Sequence, residues 1–322
     1  MKIIKFLKYL PIGIVYYFLF FFLIYIISGF LLLKGITPDN RLINTYQTNF
    51  YLQGGLRNIW QSNKNCVEFD KDLIFIPKKT SCNFKNLEFD TKITFDKNGR
   101  YSDHPNLNKK SVAVIGDSFS MGWGVNDDET FSSILEKKIN RPVFNLAVSG
   151  YGTVRQLMRL EKTNLLDKID IIILQYCYND VGENINFKKN SEEQALQKFN
   201  TMVSGKPVSN WRKLRKVARY SSTIPIDILR KKNEILDFSG HHRVLKKILS
   251  NFPSIKDKKI YIFYTNGPNM KFSNFPFGSP EYSNNIFFLD IKNKNEHFFK
   301  IDGHLNRLGH KFIAEELSKV IN

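Results

Sequence analysis

The run from Leu10 to Leu33 carries no charged side chain. At about 24 residues and about 1.5 Å of rise each, such a run spans a bilayer core as a helix. Lys2, Lys5 and Lys8 precede it. The positive-inside rule then makes residues 1–8 a cytoplasmic tail, residues 9–33 a transmembrane helix, and the rest extracytoplasmic, or periplasmic. A cleaved signal peptide is the alternative. The run is long for one, and bulky Leu31, Leu32 and Leu33 close it where a small-residue cleavage site belongs. Residues 34–110 read as an accessory region of short strands and loops. Within it Lys92-Ile93-Thr94-Phe95 alternates and meets the turn signal Asp96-Lys97-Asn98-Gly99.

From Ser111 the pattern changes to short apolar runs separated by stretches of helical period. Strands are expected at Ser111–Ile115, Val143–Ala147, Ile169–Tyr176, Lys259–Tyr264 and Ile286–Leu289. A helix is expected at Glu129–Ile139, with Phe131, Ile134, Leu135 and Ile139 on one face. Another is expected at Thr153–Lys162, where Thr153 and Gln156 have capping-box spacing. A closing helix at Leu308–Ile321 turns Phe312, Ile313, Leu317 and Val320 inward, with Asn306 as its cap. Strands alternating with helices predict an α/β domain with a parallel sheet over 111–322. Residues 184–237 interrupt it with a polar, basic insertion. Ser191–Met202 is helical in pattern, and Trp211–Tyr220 carries Arg212, Lys213, Arg215, Lys216 and Arg219. That insertion reads as a solvated helical excursion, with a lid or a patch for phosphate head groups or an acidic polymer as alternatives.

Composition changes the picture in two places. The net charge of +18 over 322 residues raises nucleic acid as a partner. The lysines are scattered rather than striped and no nucleic-acid-binding module is present, so no nucleic acid is expected; an anionic membrane surface or acidic polysaccharide suits the charge better. Of three cysteines, Cys66 and Cys82 bracket one short segment, and outside the cytoplasm they can pair; two free thiols is the alternative. Cys177 follows an apolar run and reads as a small buried residue. No metal-ligand spacing and no G-x-G-x-x-G fingerprint occurs, so neither metal nor cofactor is expected.

The chemistry begins where the first strand of the α/β domain ends. Val112-Ala113-Val114-Ile115 runs into Gly116-Asp117-Ser118, which delivers a hydroxyl to the carboxyl end of a buried strand. A serine nucleophile needs a base, an orienting partner for that base, and donors for the oxyanion. His304 is the expected base, because of the six histidines (His104, His241, His242, His297, His304 and His310) it alone joins an adjacent acid, Asp302, to a loop position. His310 is expected to be dispensable. The expected oxyanion hole comprises the Ser118 N–H, the N–H of Gly150 in the Asn145–Gly152 segment, and the Asn179 side chain of Asn179-Asp180. A turn glycine and a helix cap are the plainer readings of Gly150 and Asn179.

Gly116-Asp117-Ser118, Gly150, Asn179-Asp180 and Asp302-Gly303-His304-Leu305-Asn306, in that order, resemble the SGNH (GDSL-like) hydrolase superfamily over roughly 111–322. The resemblance implies a flavodoxin-like three-layer sandwich and serine-dependent hydrolysis of carboxylic esters through an acyl-enzyme. It implies Ser118, Gly150, Asn179 and His304 as the four named residues. Many members place the acid three residues before the histidine; here it is two. An O-acetylated cell-envelope glycan is the expected substrate class. A polysaccharide O-acyltransferase using the same residues is the alternative, and a non-catalytic carbohydrate-binding protein the third reading.

Overall fold

The computed structural model describes residues 2–53, 56–104, 108–187, 190–204, 210–230, 234–265, 267–268, 270–275 and 284–321. Helices α1 (Lys2–Leu33) and α2 (Arg41–Gln53) lead the chain. Five short strands follow: β1 (Val67–Asp70), β2 (Ile74–Pro77), β3 (Ser81–Lys85), β4 (Asp90–Asp96) and β5 (Gly99–Arg100). The α/β part opens with β6 (Ser111–Ile115), α3 (Ser118–Met121), α4 (Phe131–Ile139), β7 (Val143–Asn145), α5 (Thr153–Glu161), β8 (Ile169–Tyr176) and α6 (Tyr178–Asn186). It continues through α7 (Glu192–Val203), α8 (Asn210–Arg230), β9 (Glu234–Asp237), α9 (Ser239–Ser250), β10 (Lys259–Tyr264), β11 (Met270–Ser273), β12 (Ile286–Leu289) and α10 (Arg307–Ser318).

Strands β12, β10, β8, β6 and β7 lie side by side in that order, all parallel. Numbered by their own sequence order they run 2-1-3-4-5 from β7 to β12, the flavodoxin-like arrangement. Period-two alternation sends the two faces of each strand into separate cores. Ala113, Ile115, Ile172 and Leu174 meet Leu157 and Leu160 of α5 and Leu245 and Ile248 of α9. Val112, Val114, Ile171 and Ile173 meet Phe131 and Leu135 of α4 and Ile313 and Leu317 of α10. Runs apolar on both faces are what a strand covered by helices on each side requires. Order reverses at β6, between β7 and β8, and the crevice at that switch point is where such sheets bind ligands.

One sheet crosses position 110. Strand β5 pairs antiparallel with β7 at Arg100 and Asn145, and β4 and β3 extend the edge beyond it. A third core joins Trp60, Phe75, Phe84 and Phe95 to Met121, Trp123 and Tyr151, which follow the parallel strands. Cys66, within this core, and Cys82, packed against it, form a disulfide. Helix α1 contains one stretch, Tyr9–Leu33, long and apolar enough to cross a membrane.

Several local expectations need correction. Thr153 and Gln156 form no capping box: Gly152 occupies the cap position, Thr153 Oγ1 accepts from Asn184 Nδ2 at 3.1 Å, and Gln156 Nε2 donates to the Tyr151 carbonyl at 2.9 Å. Both side chains are buried, so tertiary partners outcompete the local ones. Helix α4 starts at Phe131 because Thr130 caps it, accepting from Ser133 N. Strand β7 stops at Asn145, whose side chain turns the chain by accepting from Ala147 N at 3.2 Å. Helix α10 ends at Ser318, leaving Val320 exposed while Ile321 is buried in its place. The basic helix is longer than its charges indicated, and Val217, Tyr220, Ile224 and Ile228 pack it against α1 and α2. It is not a purely solvated excursion.

Arg100 ties the two parts together. Its buried guanidinium donates to the carbonyls of Met121, Gly122 and Val125 at 2.5–2.6 Å and pairs with Asp127 at 3.0 Å. Arg100→Ala strands three carbonyls and a carboxylate, and should cost about 3–5 kcal/mol. Thermal melts would show a large drop in Tm; an unchanged melt would mean that water replaces the guanidinium.

Candidate active site

Gly116 follows β6 with φ 158°, and a Cβ there would lie 2.8 Å from both Gln175 Oε1 and Ser120 Oγ. Only glycine lets the chain turn this tightly beside β8. Asp117 follows, buried, and caps the one-turn helix α3 by accepting from Phe119 N at 2.9 Å. Ser118 is thereby the first residue of that turn. Its Oγ lies 2.8 Å from Nε2 of His304. Nδ1 of His304 is 2.5 Å from Asp302 Oδ1. The imidazole also leans against the Phe119 ring, centroids 4.9 Å apart.

His304 and Asp302 sit on a tight loop before α10. Phe299 N donates to the His304 carbonyl at 2.8 Å, Asn306 N to the His297 carbonyl at 2.9 Å, and Phe298 bridges Leu305. Gly303 turns the loop with φ 77°. Asn306 caps α10 as expected, accepting from Gly309 N at 3.1 Å. The two-residue Asp-x-His spacing therefore suffices, because this turn folds the carboxylate back on the ring.

Three residues absent from the sequence reading hold Asp302. The Tyr51 hydroxyl donates to Oδ2 at 3.1 Å from the end of α2. Arg57 forms an ion pair with the same oxygen, Nε to Oδ2 3.1 Å, and its Nη2 lies 3.3 Å from His304 Nδ1. Glu88 Oε2 accepts from the backbone N–H of Ile301 at 2.9 Å and of Asp302 at 2.7 Å. Burial acts to raise the Asp302 carboxyl, but its bond to His304, the Arg57 charge and the Tyr51 hydroxyl outweigh that and hold it below its usual range. Burial first, and then Asp302 itself, pushes the Tyr51 phenol up. No spacing rule links positions 51, 57 and 88 to position 302, so no sequence signal marked them.

The other expected residues lie around the same crevice. Asn179, exposed at the start of α6, donates its amide to Asp117 Oδ2 at 3.2 Å, which ties it to the residue before Ser118. Gly150 follows β7 with φ 82°, left-handed backbone that favours glycine. Its loop is tied to the β6 turn by Val148 N donating to the Gly116 carbonyl at 3.2 Å. Arg155 braces it from beneath, donating to the Gly150 carbonyl at 2.5 Å and to Glu183. Ser118, His304 and Asp302 are thus joined directly, whereas Asn179 and Gly150 connect to Ser118 through its neighbours.

A buried pair of acids, Asp117 and Asp180, underlies the site. Burial raises Asp117, and burial followed by repulsion from Asp117 raises Asp180 well above its usual value. Asp117 accepts from Phe119 N and from the Asn179 amide, and Asp180 Oδ2 accepts from Cys177 N at 3.2 Å, so the upward push is the greater at Asp180.

His310 lies outside the site. It is fully buried under α4, where its Nδ1 accepts from Phe131 N at 3.1 Å. Burial lowers its pKa from 6.5 to about 3. It is a structural residue, so dispensability can extend only to chemistry. Between those values the unfolded chain binds a proton that the fold refuses, so stability falls as pH drops through that window. His310→Asn should flatten the dependence of urea-unfolding free energy on pH there, a term on the order of a few kcal/mol; an unaltered slope would mean that other groups carry it. Asp302 has the depressed carboxylate's sign: its contribution is present above about pH 4 and lost below it. Arg57→Met should raise its titration, read by carboxyl carbon NMR, and an unmoved carboxyl would show the ion pair to be inconsequential.

Comparison with known proteins places this geometry. The model of the GDSL-like lipase/acylhydrolase family matches residues 112–317. No curated protein matches the chain. Among solved structures, the chain is similar to a family two carbohydrate esterase from Clostridium thermocellum, with 12% identity over 66% of this chain and 63% of that one, at a TM-score of 0.34. It is also similar to an acetyl xylan esterase from Butyrivibrio proteoclasticus, with 14% identity, the same two coverages and a TM-score of 0.34. A GDSL-like lipase from Bacteroides thetaiotaomicron matches at 14% identity over 68% of this chain and 90% of that one, at a TM-score of 0.29. The family match covers well over half of the sequence, and this chain is an ester hydrolase belonging to the GDSL-like lipase/acylhydrolase family.

Proposed function

We propose that the protein is a membrane-anchored serine esterase that cleaves carboxylic esters through an acyl-enzyme on Ser118. The observation that carries this reading is the 2.8 Å approach of Ser118 Oγ to His304 Nε2, with Asp302 on the opposite ring nitrogen. Ser118 Oγ attacks the carbonyl carbon while its proton passes to His304 Nε2. Asp302 keeps the Nδ1 proton in place and stabilises the imidazolium. The N–H groups of Ser118 and Gly150 and the Asn179 amide receive the oxyanion. His304 then returns the proton to the departing alcohol, leaving the acyl group on Ser118. Water, deprotonated by the same nitrogen, releases the acid and restores the serine.

Helix α1 is the proposed anchor, with the lysines at its amino end in the cytoplasm and the hydrolase outside, in the compartment where the Cys66–Cys82 disulfide is stable. An O-acetylated envelope glycan is the substrate class that such a location offers.

A fluorophosphonate probe should label the wild type and not Ser118→Ala. His304→Ala should slow cleavage of a chromogenic acetyl ester by about 10³-fold or more, and Asp302→Asn by a comparable factor. Wild-type cleavage by any of these variants would overturn that residue's role. Product analysis with added glycan decides the outcome of the acyl group: free acetate supports hydrolysis, and acylated glycan would make the protein a transferase.

A further inference from the structure

Helix α8 has three stripes rather than two. Val217, Tyr220, Ile224 and Ile228 pack against α1 and α2. Arg212, Arg215, Lys216 and Arg219 line a second, exposed face. Between them, at helical spacing, run Trp211, Leu214, Ala218, Ser222, Ile226 and Leu229. Four of these are large and bare: Trp211 is 72% exposed, Leu214 54%, Ile226 45% and Leu229 86%. A helix bathed in water keeps its apolar side against protein, so a second, outward apolar stripe needs another solvent.

The neighbour of that stripe indicates which solvent. Tyr17, in the amino-terminal half of the apolar stretch of α1, donates its hydroxyl to the Ser222 carbonyl at 2.8 Å. Pro225 inside α8 deprives the Ser221 carbonyl of its usual donor, and the buried Tyr46 hydroxyl supplies one at 2.7 Å. Satisfying that freed carbonyl inside the helix cluster is what a low-dielectric surrounding demands. The charges gather in the amino-terminal half, where Lys216 donates to Gln53 at the end of α2. The bare Ile226 and Leu229 lie in the half that accompanies α1. Cations, an interfacial tryptophan and a deeper aliphatic end form the profile of a helix set obliquely into a lipid surface.

We propose that α8 is seated in the bilayer beside α1, its apolar stripe among acyl chains and its four cations on the anionic head groups of the leaflet facing the hydrolase. This rests on the reading of α1 as a membrane anchor and is independent of the catalytic assignments. It makes the basic insertion a second hold on the membrane, one that fixes the orientation of the hydrolase above the lipid.

The full chain carries its own probe, because Trp60 and Trp123 are buried and Trp211 is exposed. In vesicles of phosphatidylcholine and phosphatidylglycerol, the wild-type minus Trp211→Phe emission should be blue-shifted and quenched by brominated lipid. Cys66 and Cys82 are paired and Cys177 is buried, so Leu229→Cys takes a fluorophore selectively. That label should be quenched by lipid brominated deeper in the chain. Replacing Arg212, Arg215, Lys216 and Arg219 by Gln should abolish the difference between anionic and purely zwitterionic vesicles at Trp211. Ester cleavage by each variant serves as the check on folding. Protein that floats with vesicles while both probes are quenched only by aqueous iodide would overturn the seating of α8 and leave the anchor standing. Quenching equal in the two lipids would overturn the head-group contact. Protein that fails to float would overturn the anchor, and this proposal with it.

Discussion

Asp302 must stay ionised while almost wholly removed from water, and much of the molecule is arranged around that requirement. An isolated carboxylate in such a place takes up a proton. Here the imidazole of His304 lies against one oxygen, and the Tyr51 hydroxyl and the Arg57 cation against the other. Glu88 holds the backbone from below. These partners come from α2, the loop after it, and the segment between β3 and β4. The first third of the chain is therefore more than a spacer between helix and enzyme: it supplies the surroundings in which the carboxylate keeps its charge. In a low-dielectric pocket each of these contacts is stronger than in water, and the loss of any one is correspondingly costly.

The same logic places the hydrolase relative to α1. Leu32 near the end of α1, Tyr51 and Ile301 form one small core, so the apolar helix abuts the loop that carries Asp302. The three helices α1, α2 and α8 form a cluster whose apolar surfaces face each other and outward, while the hydrolase core lies between its own helix layers. The proposed active site thus stands close to the carboxyl end of α1 rather than at the far side of the domain.

Much of this was legible from residue order. The five parallel strands announce themselves as apolar runs, because strands covered on both faces tolerate few polar side chains. Asp302 and His304 were readable because two residues of separation keep them local, and Ser118 because Gly116 marks the turn before it. The misreadings have a common cause. Thr153 and Gln156 match a capping pattern, yet both find buried partners across the fold. Val320 continues a helical period beyond the point where the helix ends. Tyr51, Arg57, Glu88 and Arg100 passed unnoticed because each acts on a residue far away in the chain.

The sequence by itself determined the apolar amino-terminal helix, the alternation of strand and helix, and the serine, acid and histidine at strand ends and loops. Those properties follow from periodicity and short-range backbone geometry, which neighbouring residues express directly. Tertiary structure decided which side chains surround the carboxylate, that strands β3 to β5 extend the main sheet, and that the basic helix lies along α1. Such pairings are settled by burial and electrostatics between segments far apart in the chain, 251 positions for Tyr51 and Asp302, and nothing local encodes them.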